Sequence, residues 1–384
     1  MRKRGLLVIV FFLFLFLLTQ SIHAQTWQSL KRLSWNPGWS YDPAVATDIS
    51  GNIHVVWEDN TPGNWEIYYK RSTDGGLTWT TKRLTWTARY SQNPAIAIDS
   101  SGNIHVVWQD NTSGNYEIYY KRSTDGGTTW QPPKRLTWSS GDSENPAIAI
   151  DSSGNIHVVW EDDTHGNYEI YYKRSTDGGS TWNTQRLTWN YGNSVDPAIA
   201  IDSSGNIHVV WANDQLFYDY EIYYKRSKDG GTTWQPPRRL TWNSYDTYDP
   251  AIAIDSSGNI HVVWEYYTSY NNYEIYYKMS TDGGSIWQPT KRITWNTSNS
   301  YDPAIAIDSS GNIHVVWHDY TPGNSEIYYK RSTDCGLTWT TQRLTWSSGD
   351  SYDPVIAIDS SGNIHVVWYD ATPGITEIYY KKGK

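Results

Sequence analysis

The sequence YEIYYKRSTDGGTTW at residues 116–130 decides the fold, because close variants of it return along the chain at almost constant spacing. Its second half, STDGGTTW at residues 123–130, follows one alternating apolar/polar run (EIYYK) and precedes another (KRLTW). This pattern is typical of two strands joined by a hairpin turn. In such a turn Asp125 can accept backbone N–H groups, and Gly127 can adopt a positive φ without steric cost. Trp130 then leaves the turn as a large apolar anchor.

Six copies of this turn share the pattern S-x-D-x-G-x-T-W, with Ile286 as the single departure. The pattern resembles the Asp-box, or BNR repeat, of the sialidase-like β-propeller superfamily. The resemblance implies that the aspartates are structural and lie at the outer rim of each blade, on the face away from the binding site. They are Asp74, Asp125, Asp177, Asp229, Asp282 and Asp334.

A second motif, IHVVW, occurs seven times at intervals of 51 to 53 residues. Each unit reads as four short runs, of the types PAIAID, IHVVW, EIYYKRS and KRLTW. Four strands at this period are the signature of a propeller blade. The sequence therefore predicts an all-β, seven-bladed β-propeller with four antiparallel strands per blade. The superfamily's sialidase domains have six blades, so the chain departs from them in blade number.

The two ends of the repeat array predict how the ring closes. Residues 25–35 contain only a fourth strand, and residues 377–384 contain only a third. We expect the N-terminal strand to close the last blade, which hides sheet edges that would otherwise invite aggregation. The predicted organisation is a signal peptide at 1–24 and one propeller at 25–384. Its blades lie at about 36–86, 87–138, 139–189, 190–242, 243–295, 296–346, and 347–384 plus 25–35.

The N-terminal segment has the features of a secretory signal peptide. MRKR precedes an apolar run at residues 5–18, and Ala24 offers a small residue for cleavage. The run is shorter than the roughly 20 residues of a membrane-spanning helix, although an uncleaved anchor is an alternative. We expect a secreted or cell-envelope protein with no membrane contact after cleavage.

Charge and cysteine content narrow the function classes further. The formal net charge is −9, and loss of the three basic residues of the signal segment would make it −12. Such an acidic chain is a poor partner for nucleic acid or an anionic membrane. The single Cys335 excludes an internal disulfide framework.

Residues repeated in every blade are interpreted as structural. Twenty-one of the 23 Trp residues fall at three fixed positions per unit and are predicted to fill the space between blades. The histidine of IHVVW and the glutamate that opens the third strand also occur once per blade. Because metal sites need three or four converging ligands, residues spread around a ring do not predict one. No cofactor is predicted, although calcium is conceivable.

Comparison of the seven units with one another shows that only two kinds of connection vary. These are the links between blades and the links between strands two and three, of which 214–220 and 266–273 are the most altered. Both kinds lie on one face, and binding residues concentrate on such loops. Their Tyr, Asn, Ser, Asp and Trp content suits hydroxyl-bearing ligands, although neutral drift also produces variation.

One position just before the innermost strand is always Asp or Asn, and Tyr precedes four of them. This ring should line the mouth of the central channel and could hold a cation or a polar ligand. The alternative is a turn that Asp-Pro and Asn-Pro simply favour. The candidate ligand-binding residues are Tyr41, Asp42, Tyr90, Asn93, Asn145, Asp196, Tyr248, Asp249, Tyr301, Asp302, Tyr352 and Asp353.

The superfamily's sialidases use an arginine triad, a Tyr–Glu nucleophile pair and an Asp acid/base. Bidentate pairing with a carboxylate is the physical reason for the arginines. Here only Arg89 falls in a variable, cup-facing loop. One arginine is not a triad, so the resemblance carries over no catalytic residue. We therefore predict non-catalytic binding of carbohydrate or a cell-surface polymer.

Two other function classes stay open. Glu144 is the one Glu in a connection between blades, and with Asp42 or Asp249 it could form the carboxylate pair of a glycoside hydrolase, for example an exo-sialidase. In that case Arg89 and Glu144 are the best catalytic candidates. The third class is a protein-interaction scaffold of the cell envelope.

Overall fold

The computed structural model describes residues 25–214, 219–242, 245–268, 272–372 and 374–384. The predicted signal peptide lies outside these residues, as do parts of the loops at 214–220, 243–248 and 266–273. Within the described residues there is no helix long and apolar enough to cross a membrane.

The described chain forms seven four-stranded antiparallel sheets, so the predicted all-β, seven-bladed propeller is confirmed. The first strands of the blades are β2 (Ser40–Thr47), β6 (Ser91–Ile98), β10 (Ser143–Ile150), β14 (Ser194–Ile201), β18 (Thr247–Ile254), β22 (Ser300–Ile307) and β26 (Ser351–Ile358). The second strands are β3 (Ile53–Asp59), β7 (Ile104–Asp110), β11 (Ile156–Asp162), β15 (Ile207–Asn213), β19 (Ile260–Tyr267), β23 (Ile313–Asp319) and β27 (Ile364–Asp370).

The outer half of each blade is less regular. The third strands are β4 (Glu66–Ser72), β8 (Glu117–Ser123), β12 (Glu169–Ser175), β16 (Glu221–Ser227), β20 (Tyr273–Ser280), β24 (Glu326–Ser332) and β28 (Glu377–Gly383). The fourth strands are β1 (Lys31–Arg32), β5 (Thr80–Arg83), β9 (Lys134–Arg135), β13 (Asn183–Arg186), β17 (Arg238–Arg239), β21 (Lys291–Arg292) and β25 (Thr340–Arg343). We number the blades one to seven, starting from β2.

The ring closes as the sequence predicts. Strand β1 pairs with β28, so blade seven has the order β1-β28-β27-β26. The backbone N–H of Leu33 donates to Ile378 O at 2.6 Å, and that of Gln28 donates to Lys382 O at 2.8 Å. First strands of neighbouring blades contact one another all the way round, including β2 with β26. Closure therefore brings seven equivalent strands together around one axis.

The core lies between blades. Strand β7 is buried along its whole length, and the same is true of most other second strands. One cluster combines Val56, Tyr69 and Leu84 of blade one with Val106 and Trp108 of blade two. Apolar residues on both faces of the IHVVW strand thus have a partner, which explains the absence of polar alternation there.

The Asp-box forms the predicted turn and also joins neighbouring blades. Asp125 Oδ1 accepts the Ser123 hydroxyl at 2.9 Å and the Thr129 N–H at 2.8 Å. These bonds, those from Thr129 above all, lower the pKa of Asp125 to about 2. Gly127 has φ +87°, and a Cβ there would collide with the hydroxyl of Tyr69 in the previous blade. Trp130 packs edge-on against the same Tyr69, with ring centroids 5.1 Å apart.

The histidines and glutamates repeated in every blade hold strands together. His105 is buried, and its Nδ1 lies 2.8 Å from the Tyr120 hydroxyl. Burial lowers the pKa of His105 to about 4, so the ring is neutral at physiological pH. Glu66 is fully buried and pairs with Arg83 of the fourth strand at 2.9 Å.

We predict that Leu33→Ala and Leu84→Ala destabilise the protein equally, by about 2–5 kcal/mol of unfolding free energy. Both leucines are 1% exposed at the same repeat position, but Leu33 belongs to the closing strand and Leu84 to an uninterrupted blade. Chemical denaturation of both variants measures this. Closure would be contradicted if Leu33→Ala cost almost nothing while Leu84→Ala cost several kcal/mol.

Candidate functional site

The seven Asp and Asn residues of the predicted ring line one cavity of about 420 Å³ at the end of the central channel, which we call the mouth. It lies on the loop face, defined as the face that carries the connections between blades and between strands two and three. The proline that follows each ring residue completes the wall of the cavity. The ring consists of Asp42, Asn93, Asn145, Asp196, Asp249, Asp302 and Asp353.

Backbone conformation explains why only Asp and Asn occupy this ring. All seven residues have a left-handed φ, between +46° and +53°. In blade one the residue lies in a bulge, where the pairing of β2 with β3 shifts register between Tyr41 and Ala44. Asp and Asn tolerate this conformation better than other residues with a side chain. The turn accounts for the residue type, but it does not require a carboxylate in five of seven blades.

The carboxyls of the mouth hold their protons unusually tightly. Burial, reinforced by neighbouring carboxylates, raises the pKa of Asp42 and Asp196 to about 7 and that of Asp249 to about 8. The pKa of Asp302 rises to about 6, and that of Asp353 rises well above its usual range. Loss of hydration on burial, with a smaller contribution from the neighbouring carboxylates, explains the direction of these pKa shifts.

A second tier of side chains supports the mouth, and the sequence motifs did not predict it. It is the residue directly after the tryptophan of IHVVW. The Glu58 carboxylate accepts the backbone N–H of Asn93 in the next blade at 2.9 Å, and the Glu161 carboxylate accepts that of Asp196 at 2.8 Å. The tier consists of Glu58, Gln109, Glu161, Ala212, Glu265, His318 and Tyr369.

Burial is also the main cause of the raised pKa values of the glutamates in the second tier. The pKa of Glu58 rises to about 8 and that of Glu161 to about 7, while that of Glu265 rises well above its usual range. The signal for this tier was present in the sequence, because the position varies between blades while the five residues before it do not.

Neighbouring aromatic side chains form a continuous run beside the mouth. They form an arc over blades five to one, with neighbouring ring centroids 4.9 to 5.5 Å apart. In blades two, three and four the ring tyrosine is replaced by Gln92, Glu144 and Val195. The arc consists of Tyr273, Tyr301, His318, Tyr352, Tyr369, Tyr41 and Trp65.

The remaining candidate site residues do not line the mouth cavity, among the residues that the structure describes. Tyr248 packs against Tyr220, with centroids 4.8 Å apart. Tyr90 is 45% exposed and Arg89 is exposed, both in the loop after blade one. Glu144 is half-buried and accepts the Tyr168 hydroxyl at 2.8 Å. Neither Arg89 nor Glu144 lines the cavity, among the residues whose placement is described.

The prediction that all repeated tryptophans fill the space between blades is wrong for one class. The tryptophans of IHVVW are buried, and those of the Asp-box pack on the previous blade. The tryptophans of LTW, however, are 67–71% exposed, because each lies beyond the end of the short outermost strand. They are Trp35, Trp86, Trp138, Trp189, Trp242, Trp295 and Trp346.

Two of the exposed tryptophans, Trp86 and Trp346, border clefts between blades on the loop face. The cleft at Trp86 has a volume of about 260 Å³, and Asp110, Thr112, Tyr119 and Lys121 of blade two also line it. The matching residues of blades six and seven line a cleft at Trp346. We call these two clefts, together with the corresponding surfaces beside the other five exposed tryptophans, the Trp clefts.

The exposed tryptophans are held in place by cations. Lys121 Nζ lies 5.4 Å from the Trp86 ring centroid and donates to Leu84 O at 2.5 Å. The guanidinium carbon of Arg83 lies 5.6 Å from the same centroid. Cation–π contact of this kind fixes the indole without covering it. A rigid, exposed aromatic ring is thus presented once per blade.

The BNR repeat-like domain family matches residues 63–263, just over half of the 384 residues. The chain belongs to this family. The resemblance to Asp-box, sialidase-like propellers is therefore confirmed, and it now rests on both the repeat and the fold.

Two curated relatives of this BNR propeller act on carbohydrates by name. A xyloglucanase of Acetivibrio thermocellus is 29% identical over 201 residues, which cover 44% of this chain and 22% of the relative. A sialidase of Bacteroides fragilis is 24% identical over 237 residues, or 51% of this chain and 42% of the relative. The chain thus spans less than half the length of either relative it matches.

Solved structures show the same architecture at low identity. An ulvan lyase aligns with a TM-score of 0.62 and 11% identity, covering 91% of this chain and 95% of that one. A Dyadobacter fermentans protein of unknown function aligns with a TM-score of 0.58 and 14% identity, covering 92% and 99%. The fold of this BNR propeller is therefore related to those of glycoside hydrolases and polysaccharide lyases.

We predict that the mouth makes the protein less stable as pH rises from about 4 to about 8. A carboxyl whose pKa is higher in the folded chain stabilises the fold while it is protonated, and this stabilisation is lost as pH rises through the folded-state pKa. Asp249→Asn should therefore raise the melting temperature at pH 8 and change it little at pH 4. Asn already occupies this left-handed position in blades two and three, so the backbone should tolerate it.

Thermal melts of the chelator-treated protein between pH 4 and pH 8.5 measure this effect. Asp219→Asn is the matched control, because Asp219 is exposed in a strand two to three connection of the same face. An Asp249→Asn gain that is the same at every pH would contradict the assignment.

Proposed function

We propose that this BNR propeller is an exported, non-catalytic protein that binds neutral carbohydrate or a carbohydrate-rich surface polymer through its loop face. The observation that carries the proposal is the ring of seven tryptophans, each about 70% exposed at the same repeat position, two of which border a cleft between blades. Export rests on the signal-like N-terminal sequence.

The chemistry of the clefts suits a sugar. The flat, apolar face of a pyranose stacks on an indole ring, while hydroxyl groups need donors and acceptors at its edge. In the cleft of blades one and two, Thr112, Tyr119 and Lys121 supply such groups beside Trp86. Because Lys121 and Arg83 already fix the indole, little side-chain freedom is lost on binding.

Repetition turns weak sites into useful ones. A single stacked sugar gives a small binding energy, but clefts on one rigid ring can bind several points of the same polymer. Linked sites raise the overall avidity without new contacts. The near-identity of the seven units therefore favours a repetitive ligand such as a polysaccharide over a compact, unique one.

At the mouth, the lining side chains favour neutral over acidic sugars. Five of the seven ring residues are aspartates, and three of the seven residues in the tier beneath them are glutamates. No Lys or Arg lines the mouth cavity among the described residues. A sialic or uronic acid would meet carboxyl groups there without a guanidinium partner. The carbohydrate-directed names of the curated relatives support the ligand class.

We predict that Trp86→Ala, Trp138→Ala and Trp189→Ala together weaken retention on an immobilised neutral polysaccharide by about tenfold or more. Each lost stack removes about 1 kcal/mol, and multivalency compounds the loss. Affinity electrophoresis in gels containing xyloglucan and other neutral glucans measures the retention.

The control triple is Leu77→Ala, Ile286→Ala and Leu337→Ala. These side chains are 70–74% exposed in Asp-box turns on the opposite face. Tyr248→Ala, Tyr301→Ala and Tyr352→Ala test whether the mouth contributes as well. Unchanged retention in the tryptophan triple would refute the clefts as the binding site.

Glycoside hydrolysis is the second candidate, and the raised pKa of the mouth carboxyls favours it. A carboxyl with a pKa of about 7, such as Asp42 or Asp196, can act as a general acid near neutral pH. If this candidate holds, the protein turns over a fluorogenic sialoside or a xyloglucan oligosaccharide. Arg89→Ala, Glu144→Ala or Asp196→Asn should then abolish turnover. No turnover of either substrate by the unmodified chain would exclude these activities.

A further inference from the structure

We propose that Asp302, His318 and Asp353 bind one divalent transition-metal cation at the mouth. One ligand atom from each residue can be chosen so that all three lie within 4.8 Å of one another. The two aspartates line the cavity, and His318 lies in the tier beneath them. This site is separate from the Trp clefts, and neither proposal depends on the other.

The state of His318 is the observation that points to a ligand. Its side chain is 5% exposed, and its Nδ1 has no hydrogen-bond partner among the described residues. Asp302 Oδ2 nevertheless lies 3.2 Å from that nitrogen. Two atoms that coordinate one cation at about 2.0–2.2 Å lie about 3 Å apart, so this spacing suits a shared cation.

His318 also breaks the repeat at a position with a known structural task. In four blades this position is Glu or Gln, and its side-chain oxygen accepts the backbone N–H of the next ring residue. The pairs are Glu58 with Asn93, Gln109 with Asn145, Glu161 with Asp196, and Glu265 with Asp302. An imidazole between two ring aspartates is a departure that the blade architecture does not require.

The donor set narrows the kind of cation. Asp302 is also within ligand distance of Asp249 and Glu265, so further carboxyl groups flank the site on one side. One imidazole with carboxylates suits Zn²⁺, Co²⁺, Mn²⁺ or Ni²⁺, whereas Ca²⁺ and Mg²⁺ prefer oxygen ligands alone. We therefore favour a transition metal over calcium.

The test is titration of the chelator-stripped protein with Zn²⁺, Co²⁺ and Ca²⁺ by isothermal calorimetry. We expect one Zn²⁺ or Co²⁺ per chain, with at least tenfold weaker binding in His318→Gln and in Asp353→Asn. The absorption bands of bound Co²⁺ should change in His318→Gln, because a nitrogen ligand is lost. His318→Glu, which restores the residue of blades one, three and five, should shift preference toward Ca²⁺.

Asp196→Asn and Glu161→Gln are matched controls, because they remove the same charge from the same two tiers without touching His318. Unchanged binding in the controls supports the site. If they weakened Zn²⁺ binding as much as Asp353→Asn does, a diffuse pull of the acidic ring would explain the data and the site would be refuted. Absence of Zn²⁺ and Co²⁺ binding at millimolar concentration would refute it as well. Melting curves of each variant show that the fold is intact.

Discussion

Closure of the ring is the constraint on which the rest of the structure depends. Seven sheets can pack face to face only if their first strands converge around one axis, and the short pairing of β1 with β28 completes that arrangement. Because the blades converge, each residue of the repeat that faces the axis occurs seven times around it. An aspartate that suits a left-handed turn in one blade becomes part of a ring of like charges in the closed molecule. Burial near this axis, reinforced by the neighbouring carboxylates, raises the pKa values at the mouth.

Symmetry also separates two kinds of site. Some features occur in every blade, such as the buried Glu66–Arg83 pair and the exposed Trp86. An exposed feature that occurs seven times can bind a repetitive partner at several points. A feature that occurs in one blade can form only a single, specific site. His318 is the clearest example, because it replaces a glutamate or glutamine that elsewhere stabilises the next blade. The loop face carries both kinds, with the Trp clefts at its periphery and the mouth at its centre.

Much of the fold could be predicted from the sequence, because the repeated motifs mark where each strand begins and ends. The partial repeats at residues 25–35 and 377–384 also indicate how the ring closes. The ring of Asp42 and its equivalents at the mouth followed from the same reasoning. The exposure of Trp86 did not, because tryptophan in a β-rich repeat usually fills a core. Only the structure shows that the outermost strand is too short to cover it. The tier of Glu58 and His318 was hidden by its position within an apolar strand, although its variation between blades could have revealed it.

The most direct test of multivalent sugar binding is native mass spectrometry of the protein with a short neutral oligosaccharide, which counts the ligands bound to each chain. Equivalent clefts predict a ladder of bound species that extends to seven as ligand is added, with similar affinity at each step. Saturation at a single ligand would place binding at the mouth, and no binding at all would remove the carbohydrate proposal. Either result would contradict multivalent binding by the Trp clefts.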